Sequence, residues 1–258
     1  MRTCPSALVT AFLLTLVLAA CGSSKGSGGA SSSRSATLTV YAAASLTESY
    51  DELGKQFEAS HPGVKVTFSY AGSQTLVDQL DNGAPADVLA TANTSTMAKA
   101  SDKKLVGTPT TFASNVLTLI TPAGNPAHVT GLDASLDGAK LVICAPAVPC
   151  GAATTQLTGL LGVTLHPVSE EDKVTDVRAK VSTGQADAGI VYRTDAMASG
   201  DAVDTIPIAD ADKVVNDYPI ATVTASRQQD LAGQFVALVT SSAGRRVLAA
   251  HGFSTPGQ

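Results

Sequence analysis

A chain of 258 residues, 44% of them hydrophobic and 15% charged, is long enough for one large domain or two medium ones with real cores. Its net charge of −5 excludes the basic stripe that a nucleic-acid binder needs to neutralise phosphates. Any anion bound by such a chain must be held by local groups against the overall field.

The chain opens on a targeting signal. Arg2 supplies a positive start, and Ala7 to Leu18 is an apolar run too short to span a bilayer comfortably. It ends in Leu18-Ala19-Ala20-Cys21, which resembles the bacterial lipoprotein signal, with Cys21 lipidated after cleavage; a plain secretory signal is the alternative. Gly22 to Ser35 is almost entirely Gly and Ser with Lys25 and Arg34, a composition that buries no core and behaves as a tether. Residues 1–20 are therefore expected to be signal peptide and 21–36 a flexible tether, giving an exported, membrane-anchored protein. Gly22-Ser23-Ser24-Lys25-Gly26 matches the G-x-S-x-G hydrolase pattern only by composition, because no strand precedes it and no helix follows.

Thr37 to Tyr41 alternates as a strand, and three alanines lead to Ser45. Leu46, Tyr50, Leu53 and Phe57 then recur at helical spacing, which places Ser45 at the cap of a helix. A helix start leaves backbone N–H groups unpaired and carries partial positive charge, so Ser45 either caps its own helix or helps to form an anion site. His61-Pro62-Gly63 is a stop, Val64 to Tyr70 a second strand, and Ala71-Gly72-Ser73 repeats the opening arrangement ahead of a helix over Gln74 to Leu80. Consecutive parallel β–α units put both serines at the same sheet edge.

Asp81 to Pro85 reads as a turn, Ala86 to Ala90 as a buried strand, Ser95 to Lys103 as a helix and Asn115 to Thr121 as a further strand. A second alternating set follows: the strand Lys140 to Cys144, helices over Gly151 to Leu161 and Glu170 to Ser182, and the strand Ala188 to Tyr192. Asp210 to Asp217 is expected to be surface loop, Tyr218 to Val223 a strand, and Gln228 to Val239 and Ala243 to Ala250 two closing helices. The pattern predicts two α/β lobes: lobe 1 over 37–118 and 220–258, and lobe 2 over 119–219. Crossing strands near Val116–Thr121 and Tyr218–Val223 act as hinges, with a ligand between the lobes.

Cys144 and Cys150, both outside the cytoplasm, are expected to pair as a disulfide, and their spacing fits no zinc pattern. His61, His128, His166 and His251 are scattered at turns and element ends with no metal-ligand spacing. Tyr192 reads either as a core aromatic or as a site residue, and Asp195 as the cap of a short helix. Arg245-Arg246 reads as a solvated face, and Glu170-Glu171-Asp172 as an acidic helix start that must point away from a bound anion. An exported serine hydrolase using Ser45 or Ser73 is the rival reading, without a nucleophile elbow in the folded part to support it.

Tyr41-Ala-Ala-Ala-Ser45-Leu-Thr47, Ala71-Gly-Ser73, Gly83-Ala-Pro-Ala-Asp87-Val and Ala186-Asp-Ala-Gly-Ile-Val-Tyr192 together resemble the periplasmic molybdate-binding proteins of ABC transporters, over roughly Thr37 to Phe253. The resemblance implies a two-lobed type II periplasmic binding fold, α/β, each lobe a mainly parallel sheet flanked by helices. It implies a bare oxyanion, molybdate or tungstate, held by hydroxyl and amide donors of Ser45 and Ser73 in the first lobe. The second lobe would contribute the amides of Cys150 and Val174 and the hydroxyl of Tyr192. It further implies an ABC permease with its ATPase as partner, a monomeric binding protein and no cofactor. Sulfate or another oxyanion is the alternative ligand. The chain departs from the family at Cys150, where alanine is common; an amide survives that change, and a bridge to Cys144 would stiffen the loop presenting it.

Overall fold

The computed structural model describes residues 35–255, so the signal peptide, Cys21 and nearly all of the tether lie outside the described residues. Two five-stranded sheets organise the rest. The first contains β1 (Ala36–Ala43), β2 (Val64–Ala71), β3 (Val88–Ala90), β4 (Thr110–Asn115) and β10 (Asn216–Thr222), in the order β2-β1-β3-β10-β4. The second contains β5 (Leu117–Pro122), β6 (Leu141–Cys144), β7 (Ser169–Glu171), β8 (Ala188–Tyr192) and β9 (Val203–Ile206), in the order β7-β6-β8-β5-β9. Each has a parallel trio, β2-β1-β3 and β7-β6-β8, against which a later or earlier strand runs antiparallel: β10 beside β3, and β5 beside β8.

The helices are α1 (Thr47–Ser60), α2 (Ser73–Asp81), α3 (Thr94–Asp102), α4 (Pro149–Leu161), α5 (Val174–Ser182), α6 (Arg193–Ala198), α7 (Gln229–Thr240) and α8 (Ser242–Ala250). Helix α1 buries Tyr50, Leu53 and Phe57, the spacing of one helical face, against a knot of rings. Tyr50 lies 6.1 Å from Phe68, 6.0 Å from Phe112 and 5.9 Å from Phe235, centroid to centroid, within the range in which aromatic edges and faces attract. In the other half, Val177 and Val181 of α5 press on β8 where Gly189 has no side chain, since a Cβ there would sit 2.8 Å from each valine.

Three expectations need correction. The strand over Asn115 to Thr121 is two strands: β4 ends at Asn115, β5 begins at Leu117, and the chain changes sheets at Val116, whose N–H is taken by the Asn115 side chain at 3.0 Å. The helix over Glu170 to Ser182 begins only at Val174. Glu170 lies in β7, paired in register with Ile143, and Glu171 forms an ion pair with Lys180 of α5 instead of occupying a helix start. The loop over Asp210 to Asp217 contains a single 3₁₀ turn and the first two residues of β10. The strands β4, β7 and β9 are additions to the expected set; β7 is wholly polar, and β9, Val-Asp-Thr-Ile, is only four residues long and does not alternate.

Candidate functional site

In each sheet the parallel strands end at the same edge, and each hands its chain to a helix there. From the first sheet, β1 runs through Ala43 into a 3₁₀ turn over Ala44–Leu46 and on into α1, while β2 runs through Gly72 into α2. From the second, β6 leads to α4 at Pro149, β7 to α5 at Val174 and β8 directly into α6. The residues preceding four of these starts, Ala43, Gly72, Val148 and Lys173, make no side-chain cap hydrogen bond. By contrast, α3, which follows β3, and α8 are capped by Asn93 and Ser241. The uncapped starts leave first-turn N–H groups without intrahelical partners and bring four positive dipole ends together.

These starts close around one small cleft of about 20 Å³, lined by Ser45, Ser73, Cys150, Val174 and Tyr192 together with Ala44, Gly72, Ala92 and Lys173. All five residues singled out in the sequence thus meet in one place, although they come from two sheets and span Ser45 to Tyr192. They are only 1–5% exposed. The two halves touch tightly at its rim: a Cβ on Gly72 would sit 2.3 Å from the carbonyl oxygen of Asp172.

Neither serine caps its helix. Ser45 lies in the middle of the 3₁₀ turn, and its hydroxyl meets the Tyr218 hydroxyl at 2.9 Å. Ser73 is the first residue of α2, behind Gly72, and its Oγ accepts from the Ala92 N–H at 3.0 Å, which leaves its own proton free. Helix α4 starts two residues earlier than expected, so Cys150 lies in its first turn, behind Pro149. Proline suits that position, where its missing N–H would have been unpaired in any case. Cys150 is bridged to Cys144, Cα to Cα 5.7 Å, joining the start of α4 to the end of β6. The Tyr192 hydroxyl accepts from Asn216 Nδ2 at 3.0 Å. Burial pushes the phenols of Tyr192 and Tyr218 well above their ordinary value, so both keep their protons.

Lys173 is the one charged residue lining the cleft, and its ammonium lies 3.5 Å from Asp176 Oδ1. None of Glu170, Glu171 and Asp172 lines it. Asp195 does not cap α6; that helix has no side-chain cap, and Asp195 sits buried in its first turn with Oδ2 unpartnered. Burial pushes the Asp195 carboxyl up to about 7, with Arg178 pulling it down and Glu48 pushing it up. Arg178 of α5 and Glu48 of α1 pair at 2.7 Å, an ion pair linking helices from the two halves. A wider groove lies at the amino end of β1, between Thr37 and Arg227. Its buried carboxylate, Asp87, already binds the Thr39 N–H and the Ser226 hydroxyl. No cluster of metal-ligating side chains occurs among the described residues. The sequence reading missed Asn216, Tyr218 and Ala92; Tyr218 alone had a signal, as the first residue of an expected hinge strand.

A family model described as bacterial extracellular solute-binding protein matches residues 38–254. The molybdate-binding protein ModA of Mycobacterium tuberculosis is 46% identical over 253 residues, which cover 96% of this chain and 97% of that protein. Among solved structures, the periplasmic molybdate-binding protein of Azotobacter vinelandii superposes with a TM-score of 0.75 at 21% identity, covering 85% of this chain and 99% of that one. The sulfate-binding protein SubI of Mycobacterium tuberculosis superposes with a TM-score of 0.70, also at 21% identity, over 86% of this chain and 88% of that one. At that identity the two superpositions speak to the fold alone, which is the two-lobed α/β binding architecture.

The buried Asp195 makes stability depend on pH. With a folded value of about 7 and an unfolded value near 3.9, the folded protein holds a proton that the unfolded chain has lost between those limits. Stability therefore falls as pH rises from about 4 to about 7 and levels off above. Asp195→Asn is expected to remove that component. In urea titrations its advantage over wild type should grow by a few kcal/mol between pH 4 and pH 8, at about 1.4 kcal/mol for each pH unit between the two limits. A constant difference across that window would show that Asp195 is ionised when folded.

Proposed function

Since this chain belongs to the bacterial extracellular solute-binding protein family, we propose that it works outside the cytoplasm as the capture component of an ABC importer for molybdate. The observation that carries this reading is the donor set of the cleft. Two serine hydroxyls, a tyrosine hydroxyl and the first turns of uncapped helices converge on it, and the single lysine of the lining has its ammonium beside Asp176. Every such group donates a hydrogen bond. A fully deprotonated tetrahedral dianion accepts from all of them. Hydrogenphosphate brings an O–H that finds no acceptor, and an unpaired buried polar group costs about 1–3 kcal/mol. In this reading Ser45, Ser73, Cys150, Val174 and Tyr192 hold the oxygens. Tungstate shares the charge and shape of molybdate and is taken as well. Sulfate, the ligand named for one structural neighbour, is likewise a fully deprotonated tetrahedral dianion and is the alternative ligand.

The anchor belongs to the same proposal. Cys21 carries lipid, and the Gly/Ser segment lets the folded part reach a permease in the same membrane. Buried acyl CH₂ groups contribute about 0.8 kcal/mol each, so a multiply acylated cysteine holds firmly.

Calorimetry tests the site. Ser45→Ala and Ser73→Ala should each weaken molybdate binding by about 1.5–3 kcal/mol, the range for hydrogen bonds to charged groups, or roughly ten- to a hundredfold. Titrations with tungstate, sulfate and phosphate in parallel rank the ligands, and unchanged molybdate affinity in both variants would remove the site assignment. Gly72→Ala probes how the halves meet. The backbone there (φ −59°, ψ 138°) suits alanine, so each half keeps its own fold and the cost falls on the contact between the halves. Molybdate affinity should fall at least tenfold, and ligand-induced compaction in small-angle scattering should be lost; a compaction equal to wild type would show that the rim relaxes around a methyl. For the anchor, Cys21→Ser should move the protein from the membrane fraction to the soluble fraction, and retention on the membrane would refute lipidation at that residue.

A further inference from the structure

Asn216 occupies the first position of β10, buried, opposite Asn115 of β4, and does not line the cleft. Its Nδ2 donates to the Ala92 carbonyl oxygen at 2.9 Å and to the Tyr192 hydroxyl at 3.0 Å. A carbonyl oxygen only accepts, so the contact with Ala92 fixes which way the amide faces and commits both of its N–H bonds. Tyr192 therefore meets a donor from behind. Its phenol, kept protonated by burial, has its accepting side filled and a proton to donate, with the Tyr218 hydroxyl as the neighbour that an entering ligand competes with. Ala92, gripped by Asn216 through its carbonyl, donates its own N–H to Ser73 Oγ at 3.0 Å. One side chain outside the cleft thus orients a hydroxyl in one half and steadies the residue that orients a hydroxyl in the other.

We propose that Asn216 is a positioning residue for oxyanion capture: it makes Tyr192 an obligatory donor, and through Tyr192 it sets both affinity for the bare dianion and rejection of protonated oxyanions. This rests on the reading of the cleft as an oxyanion site in which Tyr192 is a ligand. With Asn216 gone, the Tyr192 oxygen is free to accept, and the O–H of hydrogenphosphate gains the partner it lacks.

The test is a double-mutant cycle read by calorimetry with molybdate and with inorganic phosphate, on wild type, Asn216→Leu, Tyr192→Phe and the double variant. Asn216→Leu is expected to weaken molybdate about tenfold and to narrow the molybdate-to-phosphate affinity ratio further than that loss alone accounts for. In the Tyr192→Phe background the same substitution should change molybdate affinity by less than about threefold, because the group it acts through is gone. A full tenfold loss in that background would show a merely structural role and overturn the proposal, as would wild-type affinity and ratio in the single variant. Where thermal melts show that the leucine variant does not fold, Asn216→Ala, which removes the donor with a smaller side chain, runs the same cycle with the same outcomes. If Tyr192→Phe, Ser45→Ala and Ser73→Ala all bind molybdate like wild type, the oxyanion reading itself has failed and this inference falls with it. If those three lose affinity and Asn216→Leu does not, only the role of Asn216 is refuted.

Discussion

A hydroxyl group is ambiguous, able to give or take a hydrogen bond, and the cleft is built to remove that ambiguity. Ser73 accepts from the Ala92 amide and Tyr192 accepts from Asn216, so each has a proton left over for whatever enters. Ser45 meets the Tyr218 hydroxyl, which burial keeps protonated and able to play the same part from behind. The helix starts need no such arrangement, because a backbone N–H can only donate. What makes them available is that Ala43, Gly72, Val148 and Lys173 offer no side-chain cap. Uncapped helix ends and hydroxyls engaged from behind both give up local hydrogen bonds, and a protein retains such features where a ligand completes them.

The fold supplies the convergence. Parallel strands joined by right-handed crossovers place every strand-to-helix turn of a sheet at one edge, and both sheets turn that edge toward the same cleft. The chain then passes between the sheets at two places. One is Val116, between β4 and β5; the other lies between β9 and β10, and β10 returns carrying Asn216 and Tyr218 directly behind the site. Groups that orient the donors therefore sit on β10, beside the place where the chain passes between the sheets. The Glu48–Arg178 pair and the contact at Gly72 lie at the other side, where helices from the two halves meet.

This division explains what is legible in the sequence and what is not. Ser45 and Ser73 can be placed because small residues between a β-period and a helical period mark a strand-to-helix turn, and two such turns in succession share an edge. Their detailed position differs by one step from the expected cap, since capping is decided by which acceptor an N–H finds, and Ser73 Oγ is claimed by Ala92, 19 residues away. Tyr192, Cys150 and Val174 come from a resemblance in motif; periodicity alone leaves Tyr192 equally at home in the core. Strand β7 is invisible because Ser169-Glu170-Glu171 has neither alternation nor β-branched residues and is held by pairing with β6. Asn216 is hidden in a polar stretch that reads as loop, because its partners, Ala92 and Tyr192, lie 124 and 24 residues away. Local pattern finds the two serines that line the cleft. It does not find Asn216 and Tyr218, which reach the cleft's hydroxyls only through tertiary contact.

Why neutral donors suit the proposed anion follows from what each alternative would discriminate. An ammonium or guanidinium attracts any negative charge and holds phosphate, sulfate and molybdate with little regard to whether a proton remains on the ligand. A shell of fixed donors responds to the ligand's own hydrogen atoms, because one O–H facing an N–H leaves two buried donors without an acceptor. The chain keeps its charges out of this comparison: the Lys173 ammonium is beside Asp176, Arg178 is paired with Glu48, and Glu171 with Lys180. With a net charge of −5 the protein as a whole does nothing to draw an anion in, so the long-range field contributes no attraction and affinity must arise within the cleft. Binding by dipoles alone is strong only where water is excluded, which is why the site residues are nearly inaccessible and why the two halves have to meet as closely as Gly72 and Asp172 do.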